Sequence, residues 1–175
     1  AELDKKLQQA AKKVAEGKSP RWMTRTGLSF CSQPLEGKLA FIFPGEGSQY
    51  LNMFSDLAQQ FGEVREWFDF WQGLYDEQPG SGRSDILFPP QSELSDALRG
   101  QLEARLFDMD VGSEAIFVAS QAMFSLLRAL AVEPDVMLGH STGESSALAA
   151  SGTMAFSDRQ QLADFIRELN KVYRG

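Results

Sequence analysis

Asp135-Val136-Met137-Leu138-Gly139-His140-Ser141-Thr142-Gly143-Glu144-Ser145-Ser146-Ala147-Leu148-Ala149-Ala150 decides how this chain folds. Asp135 to Leu138 is a short strand candidate. Gly139 to Gly143 is a G-x-S-x-G sequence, and the small residues after Glu144 suit a closely packed helix. A serine set between strand and helix in this pattern stands on a strained turn with its Oγ exposed. The flanking glycines are required because neighbouring backbone approaches closely there.

Ser141 is therefore the candidate nucleophile. It would stand at a helix N-terminus, where the dipole and free N–H groups favour developing negative charge. The N–H of Thr142 would be one oxyanion donor. A second donor is expected from another loop. Leu39-Ala40-Phe41-Ile42-Phe43 reads as a buried strand stopped by Pro44-Gly45, and Gly45-Glu46-Gly47-Ser48-Gln49 as a tight loop. Loops after the carboxyl ends of parallel strands meet at one edge, so the backbone N–H of Glu46 is the second candidate. As a phosphate cradle this loop fails, because it lacks the G-K-[ST] ending of a P-loop and a third glycine.

Serine needs a base. The chain's one histidine, His140, is adjacent to Ser141, and successive side chains on a tight turn point apart. His140 reads as a wall of the substrate pocket. Glu144, one helix turn beyond Ser141, reads as an acid complementing the helix dipole.

Working outward, Met53, Leu57, Ala58 and Phe61 fit one helix, and Val64, Trp67, Phe68, Trp71 and Tyr75 another, with their aromatic stripes in the core. Residues 76–92 read as a loop or surface insertion, and Leu94 to Phe107 as a polar helix. Residues 113–130 are apolar on most sides and read as a buried helix. Ser157 looks like an N-cap with Gln160 as its capping-box partner, opening a last helix through Leu162, Phe165, Ile166, Leu169 and Val172. Strands spaced by helices imply an α/β fold with a parallel sheet flanked by helices. Two strands are too few to complete such a sheet, so it is expected to be incomplete here.

The 175 residues carry 17 Lys+Arg and 24 Asp+Glu, a formal net charge of −7. Such a balance disfavours nucleic acid as a partner. One cysteine, Cys31, excludes an internal disulfide framework, and with one histidine there is no His/Cys zinc cluster and no expected metal site. No apolar run is long enough to span a membrane, and the first residues lack a signal-peptide core, so a cytoplasmic protein is expected. Basic residues predominate in 1–38 and acidic ones after it, which divides the chain into two units at 1–38 and 39–175. Leu3, Leu7, Ala11 and Val14 recur at helical spacing, with Gly17 as a stop. Residues 19–37 show no periodicity. The first unit reads as a linker with one amphipathic helix.

Phe41-Ile42-Phe43-Pro44-Gly45-Glu46-Gly47-Ser48-Gln49 resembles the FxFPGQGSQ signature of malonyl-CoA:acyl-carrier-protein acyltransferases, and Gly139-His140-Ser141-Thr142-Gly143-Glu144 resembles their GHSxGE nucleophile motif. The order of the motifs fits as well, and the match spans roughly residues 38–165. Residues 1–37 look like the ketosynthase-to-acyltransferase linker of a type I polyketide synthase. Glu46 and the GHSTGE spelling look most like iterative synthases of the enediyne kind, with polyunsaturated fatty-acid synthases close behind.

The resemblance implies the α/β-hydrolase-like core of an acyltransferase domain, of which this is the N-terminal part. It implies that Ser141 takes a malonyl or related acyl group from malonyl-CoA. The phosphopantetheine thiol of an acyl carrier protein then receives it, and the backbone N–H groups of Glu46 and Thr142 hold the oxyanion. No bound cofactor is implied. The general-base histidine, further strands and a small subdomain would follow Gly175, so this chain alone is expected to be inactive. The partners implied are malonyl-CoA, the carrier protein, a neighbouring ketosynthase and the remaining acyltransferase residues. Malonyl-selective members carry an arginine on the helix after the elbow, which clamps the free carboxylate. Ungapped alignment places Ile166 there. Arg167 follows one residue later, about 100° around the helix, and is the candidate substrate-binding cation.

Two other readings stand beside this one. A serine hydrolase with the same elbow would pass the acyl group to water. A non-catalytic docking piece would use residues 1–38 to connect its neighbours and the rest as scaffold.

Overall fold

The apolar runs before Pro44 and His140 become neighbouring parallel strands. This computed structural model describes residues 2–33, 36–75, 83–89 and 94–174. The chain divides into two compact units, Ala1–Gly37 and Lys38–Gly175.

The first unit begins with α1 (Glu2–Ala15), which ends before Gly17 at φ 62°. None of its residues is buried, and Leu3, Leu7 and Val14 lie exposed. The aperiodic stretch after it contains an antiparallel hairpin of β1 (Arg21–Met23) and β2 (Ser29–Cys31). Strands of three residues are too short to show alternation, which is why the sequence reads as turn formers alone. The hairpin is held by Trp22 stacked on Phe30 at 5.6 Å, and by a turn in which Thr24 Oγ1 accepts the Leu28 N–H at 3.0 Å. Lys13 places its ammonium 5.0 Å from the Trp22 ring.

In the second unit β3 (Ala40–Phe43) pairs in parallel with β4 (Val136–Gly139), with Ile42 opposite Leu138 and Phe43 opposite Gly139. Between them run α2 (Ser55–Gln60), α3 (Gly62–Gly73), α4 (Arg83–Leu87), α5 (Asp96–Leu106) and α6 (Met109–Ala129). After β4 come α7 (Gly143–Ala150) and α8 (Arg159–Arg174). The short α4 falls inside the stretch expected to be a loop, whose residues 76–82 and 90–92 lie outside the described residues.

The core sits where α6 meets α3 and α8. Phe68 and Trp71 of α3, Phe117 and Leu126 of α6, and Ile166 of α8 are buried there. Each such side chain removes apolar area worth about 1.5–3 kcal/mol. Phe41 and Phe43 turn towards α6, each with its ring centroid 6.3 Å from Phe124.

The other face of the sheet is open. Ile42 is 71 % exposed and its register partner Leu138 is 57 % exposed. The strand expected to be buried is therefore half-buried, as befits a two-stranded part of a larger parallel sheet.

The start of α8 also departs from expectation by one residue. Asp158 Oδ1 accepts the Gln161 N–H at 2.8 Å, and Gln161 Oε1 accepts the Ser157 N–H at 2.6 Å. The cap falls to Asp158, with Gln161 reaching back to the Ser157 N–H, rather than to a box of Ser157 and Gln160, because the carboxylate is the stronger acceptor for a helix N-terminus.

Candidate active site

Ser141 lies between β4 and α7 with φ 55°, in the left-handed region that a side chain with a Cβ adopts only under strain. Three glycines make this turn possible. A β-carbon at Gly143 would run into the Phe43 carbonyl oxygen and lie 2.6 Å from that of Pro44. One at Gly139 would lie 2.5 Å from both Glu144 N and Gly143 O. One at Gly45 would lie 2.7 Å from His140 O and 2.9 Å from Ser141 Cβ. The end of β3, its loop and the elbow are thus in direct backbone contact. The His140 N–H donating to Phe43 O at 3.1 Å joins them further.

The turn is closed by Gly143 N–H to His140 O at 2.9 Å and Glu144 N–H to Ser141 O at 3.0 Å. Among the described residues no acceptor takes the N–H of Thr142 or of Glu46. Ser141 is exposed, while the side chain of Thr142 is buried. Helix α7 packs through Gly143, Ser146 and Ala147, and Gln121 of α6 donates to Ser146 O at 2.9 Å. These small side chains bring the helix N-terminus close beneath the serine.

The glycine loop has its own fastenings. Gly47 takes φ 99°, Ser48 Oγ donates to Gly45 O at 2.9 Å, and Gly47 N–H donates to Gln49 Oε1 at 2.8 Å. The role of Gln49 is not legible in the sequence, although the residue closes the loop motif. Glu46 is exposed, yet partial desolvation by its surroundings raises its carboxyl above the ordinary glutamate value.

His140 is exposed, and its Nδ1 lies 3.2 Å from the place a Gly45 β-carbon would take. The imidazole thus lies against the glycine loop, and among the described residues it makes no hydrogen bond to Ser141. Glu144 is exposed in the first turn of α7.

Arg167 stands on α8. Its guanidinium donates to Asp164 at 3.2 Å and to Leu74 O, just after α3, at 3.3 Å. The substrate-binding role expected for Arg167 would require it to leave these two acceptors. Ile166, at the aligned position, is wholly buried in the apolar core. Among the described residues no three His, Cys, Asp or Glu side chains gather as metal ligands, and no helix is long and apolar enough to cross a membrane.

Residues 40–171 match the family model described as "Acyl transferase domain". Polyketide synthase GfsA of Streptomyces halstedii is 33 % identical over 153 residues, covering 87 % of this chain and 2 % of that protein. The malonyl CoA-acyl carrier protein transacylase of Bacillus subtilis is 28 % identical over 129 residues, 69 % of this chain and 33 % of the transacylase. The solved acyl transferase domain of ZmaA superposes with TM-score 0.67 at 23 % identity, covering 86 % of this chain and 32 % of that one, a likeness that bears on the fold. The chain spans at most about a third of the length of these relatives.

Proposed function

Because this chain belongs to the acyl transferase domain family, we propose that Ser141 carries an acyl group from coenzyme A to an acyl carrier protein by double displacement. The observation that carries this reading is Ser141 at φ 55°, with Gly45 of the glycine loop packed directly against it.

Ser141 Oγ attacks the thioester carbonyl of malonyl-CoA or a related acyl-CoA. Charge develops on the carbonyl oxygen, and the N–H groups of Glu46 and Thr142 receive it. The tetrahedral intermediate collapses, the C–S bond breaks, and coenzyme A leaves as its thiol. The phosphopantetheine thiol of the carrier protein attacks the serine ester through a second such intermediate, and Ser141 is restored. Each donor of this kind contributes on the order of 10²–10³ in rate. His140 lies against the loop and forms one wall of the acyl pocket. The proton acceptor for Ser141 is a histidine of the remaining acyltransferase residues, as the resemblance implies. The same residues cover the open sheet face of Ile42 and Leu138, which is too apolar to face water in a finished α/β sheet.

The setting we infer is a type I iterative polyketide synthase of the enediyne kind, working in the cytoplasm. Residues 1–37 link a preceding ketosynthase to the acyltransferase. The names of the two relatives, a polyketide synthase and a malonyl transacylase, support the substrate class.

Intact-protein mass after brief exposure to malonyl-CoA tests the reading, with Ser141→Ala as control. A malonyl adduct on the intact protein that is absent from the variant supports it. On a protein that carries the complete acyltransferase domain, an adduct that persists in Ser141→Ala, or none on either protein, overturns it. Release to a carrier protein faster than to water separates the transferase from a hydrolase.

A further inference from the structure

We propose that Gln49 is a positioning residue for acyl transfer, holding the glycine loop so that the Glu46 N–H stays free at the serine. This rests on the acyl-enzyme reading of Ser141.

The Gln49 side chain is 4 % exposed and bonds at both ends. Its Oε1 accepts the Gly47 N–H at 2.8 Å, and its Nε2 donates to Leu106 O at 3.4 Å. The first bond fixes the Glu46–Gly47 peptide. It turns one N–H of the loop inward, while the Glu46 N–H has no acceptor among the described residues. The second bond ties the loop to the last residue of α5, a helix end whose carbonyls lack intrahelical partners.

That helix end is a rigid anchor. Arg105 grips Asp110 with two bonds of 2.6 and 2.9 Å and Asp108 with a third of 3.0 Å. Planar, bidentate pairing of this kind fixes direction as well as distance. Asp108 O then accepts the Gly112 N–H at 2.8 Å. A β-carbon at Gly112 would stand 3.0 Å from both Gln49 Nε2 and Leu106 O, so glycine leaves the space the amide occupies. Support therefore runs from the α5–α6 corner through Leu106 O and Gln49 to Gly47, and from the loop to Ser141 through Gly45.

The chemistry requires an amide. Gly47 N–H needs an acceptor and Leu106 O needs a donor, and a glutamine presents one of each. An ionised glutamate offers only acceptors, and a methionine of similar length offers neither. An oxyanion donor acts through its placement to within a fraction of an ångström. Loss of the tie is therefore felt in the chemical step more than in binding of the coenzyme A portion.

The test is single-turnover acylation of the intact protein by malonyl-CoA, followed by mass, for wild type, Gln49→Met and Ser141→Ala. Gln49→Met is expected to lower the saturating rate constant about 10–100-fold. The half-saturating concentration stays within about twofold, and the far-UV spectrum is that of the wild type. A wild-type rate constant in folded Gln49→Met overturns the proposal, as does a loss confined to half-saturation. Ser141→Ala keeps the two readings apart. If it still acylates, the serine assignment fails. If it is inert and Gln49→Met is as fast as wild type, only the Gln49 assignment fails. Should Gln49→Met not fold, Gly112→Ala decides in the same assay. Its β-carbon crowds the Gln49 amide, and an unchanged rate constant there overturns the proposal.

Discussion

The carboxylate of Glu114 lies wholly inside the protein with Arg83 Nε 2.8 Å away. Trp71 Nε1 donates to the same carboxylate at 2.7 Å and the Tyr75 hydroxyl at 2.5 Å, while the Arg83 guanidinium stacks 4.2 Å over the Tyr75 ring. One acid of α6 thus gathers the end of α3 and the start of α4. A buried charge is tolerated when it is paired and hydrogen-bonded to this degree.

Breaking that pair from either side is expected to cost about 3–5 kcal/mol, because the surviving charge stays buried. Glu114→Leu and Arg83→Met should each lower the urea midpoint sharply. The double variant should lose less than the two single losses together, with a residual cost from the Trp71 and Tyr75 donors that Glu114 no longer accepts. Two single-variant losses that simply add would show that the residues do not act as a pair.

Tyr75 adds a dependence on alkaline pH. Burial pushes its hydroxyl up to about 12, reinforced by the charge of Glu114 and the hydrogen bond to it, and opposed in part by Arg83. The folded value lies above that of a free tyrosine, near 10, so the folded state favours the neutral phenol. This contribution to stability is full below about pH 10 and is lost as pH rises towards 12. Unfolding midpoints for wild type should fall more steeply across that window than those of Tyr75→Phe. Parallel slopes would contradict the assignment.

At the elbow, Ser141→Gly should separate stability from activity. Glycine occupies φ 55° without the strain that serine bears there. The variant is expected to gain about 1 kcal/mol in unfolding free energy while forming no acyl-enzyme. Calorimetry beside the mass assay checks both, and a lower midpoint would deny that the turn is strained.

Gly143→Ala should do the reverse. Its β-carbon meets the backbone carbonyls of Phe43 and Pro44, which cannot swing aside as a side chain would. A loss of about 1–3 kcal/mol or more is expected. Gly62→Ala, where nothing lies within 4 Å, serves as the neutral comparison. Equal stability of the two alanine variants would remove the close-approach argument.

The amino end of α8 offers a finer test. Asp158→Ala is expected to cost about 1 kcal/mol, whereas Ser157→Ala should cost little, since Asp158 holds the Gln161 N–H. Thermal unfolding of both variants ranks them, and the opposite order would return the cap to Ser157.

What the sequence makes legible here follows from the range of the forces involved. The two strands and the elbow are local. Each is an apolar run stopped by glycine or proline, and strand geometry needs only the neighbouring residues. The buried helix is equally plain over residues 113–129, because a segment apolar on most sides must be buried, though it begins earlier, at Met109. The hairpin around Gly27 is not legible, since its stability comes from the cross-strand pair of Trp22 and Phe30 rather than from any repeat. Glu114 stands as one charge among apolar neighbours and signals only that partners must exist. Trp71, Tyr75 and Arg83 are fixed by tertiary packing alone. Gln49 is a similar case, because its second partner is the Leu106 carbonyl, fifty-seven positions away. The partners of Arg167 are equally hidden, because one of them, Leu74 O, lies ninety-three positions away.

The crowding around Gly45, Gly139 and Gly143 also governs how this sequence can change over generations. None of the three accepts even a methyl group without moving main chain, so single substitutions there are closed. The exposed side chains at 46, 140 and 144 can change beside Ser141 while its backbone stays put.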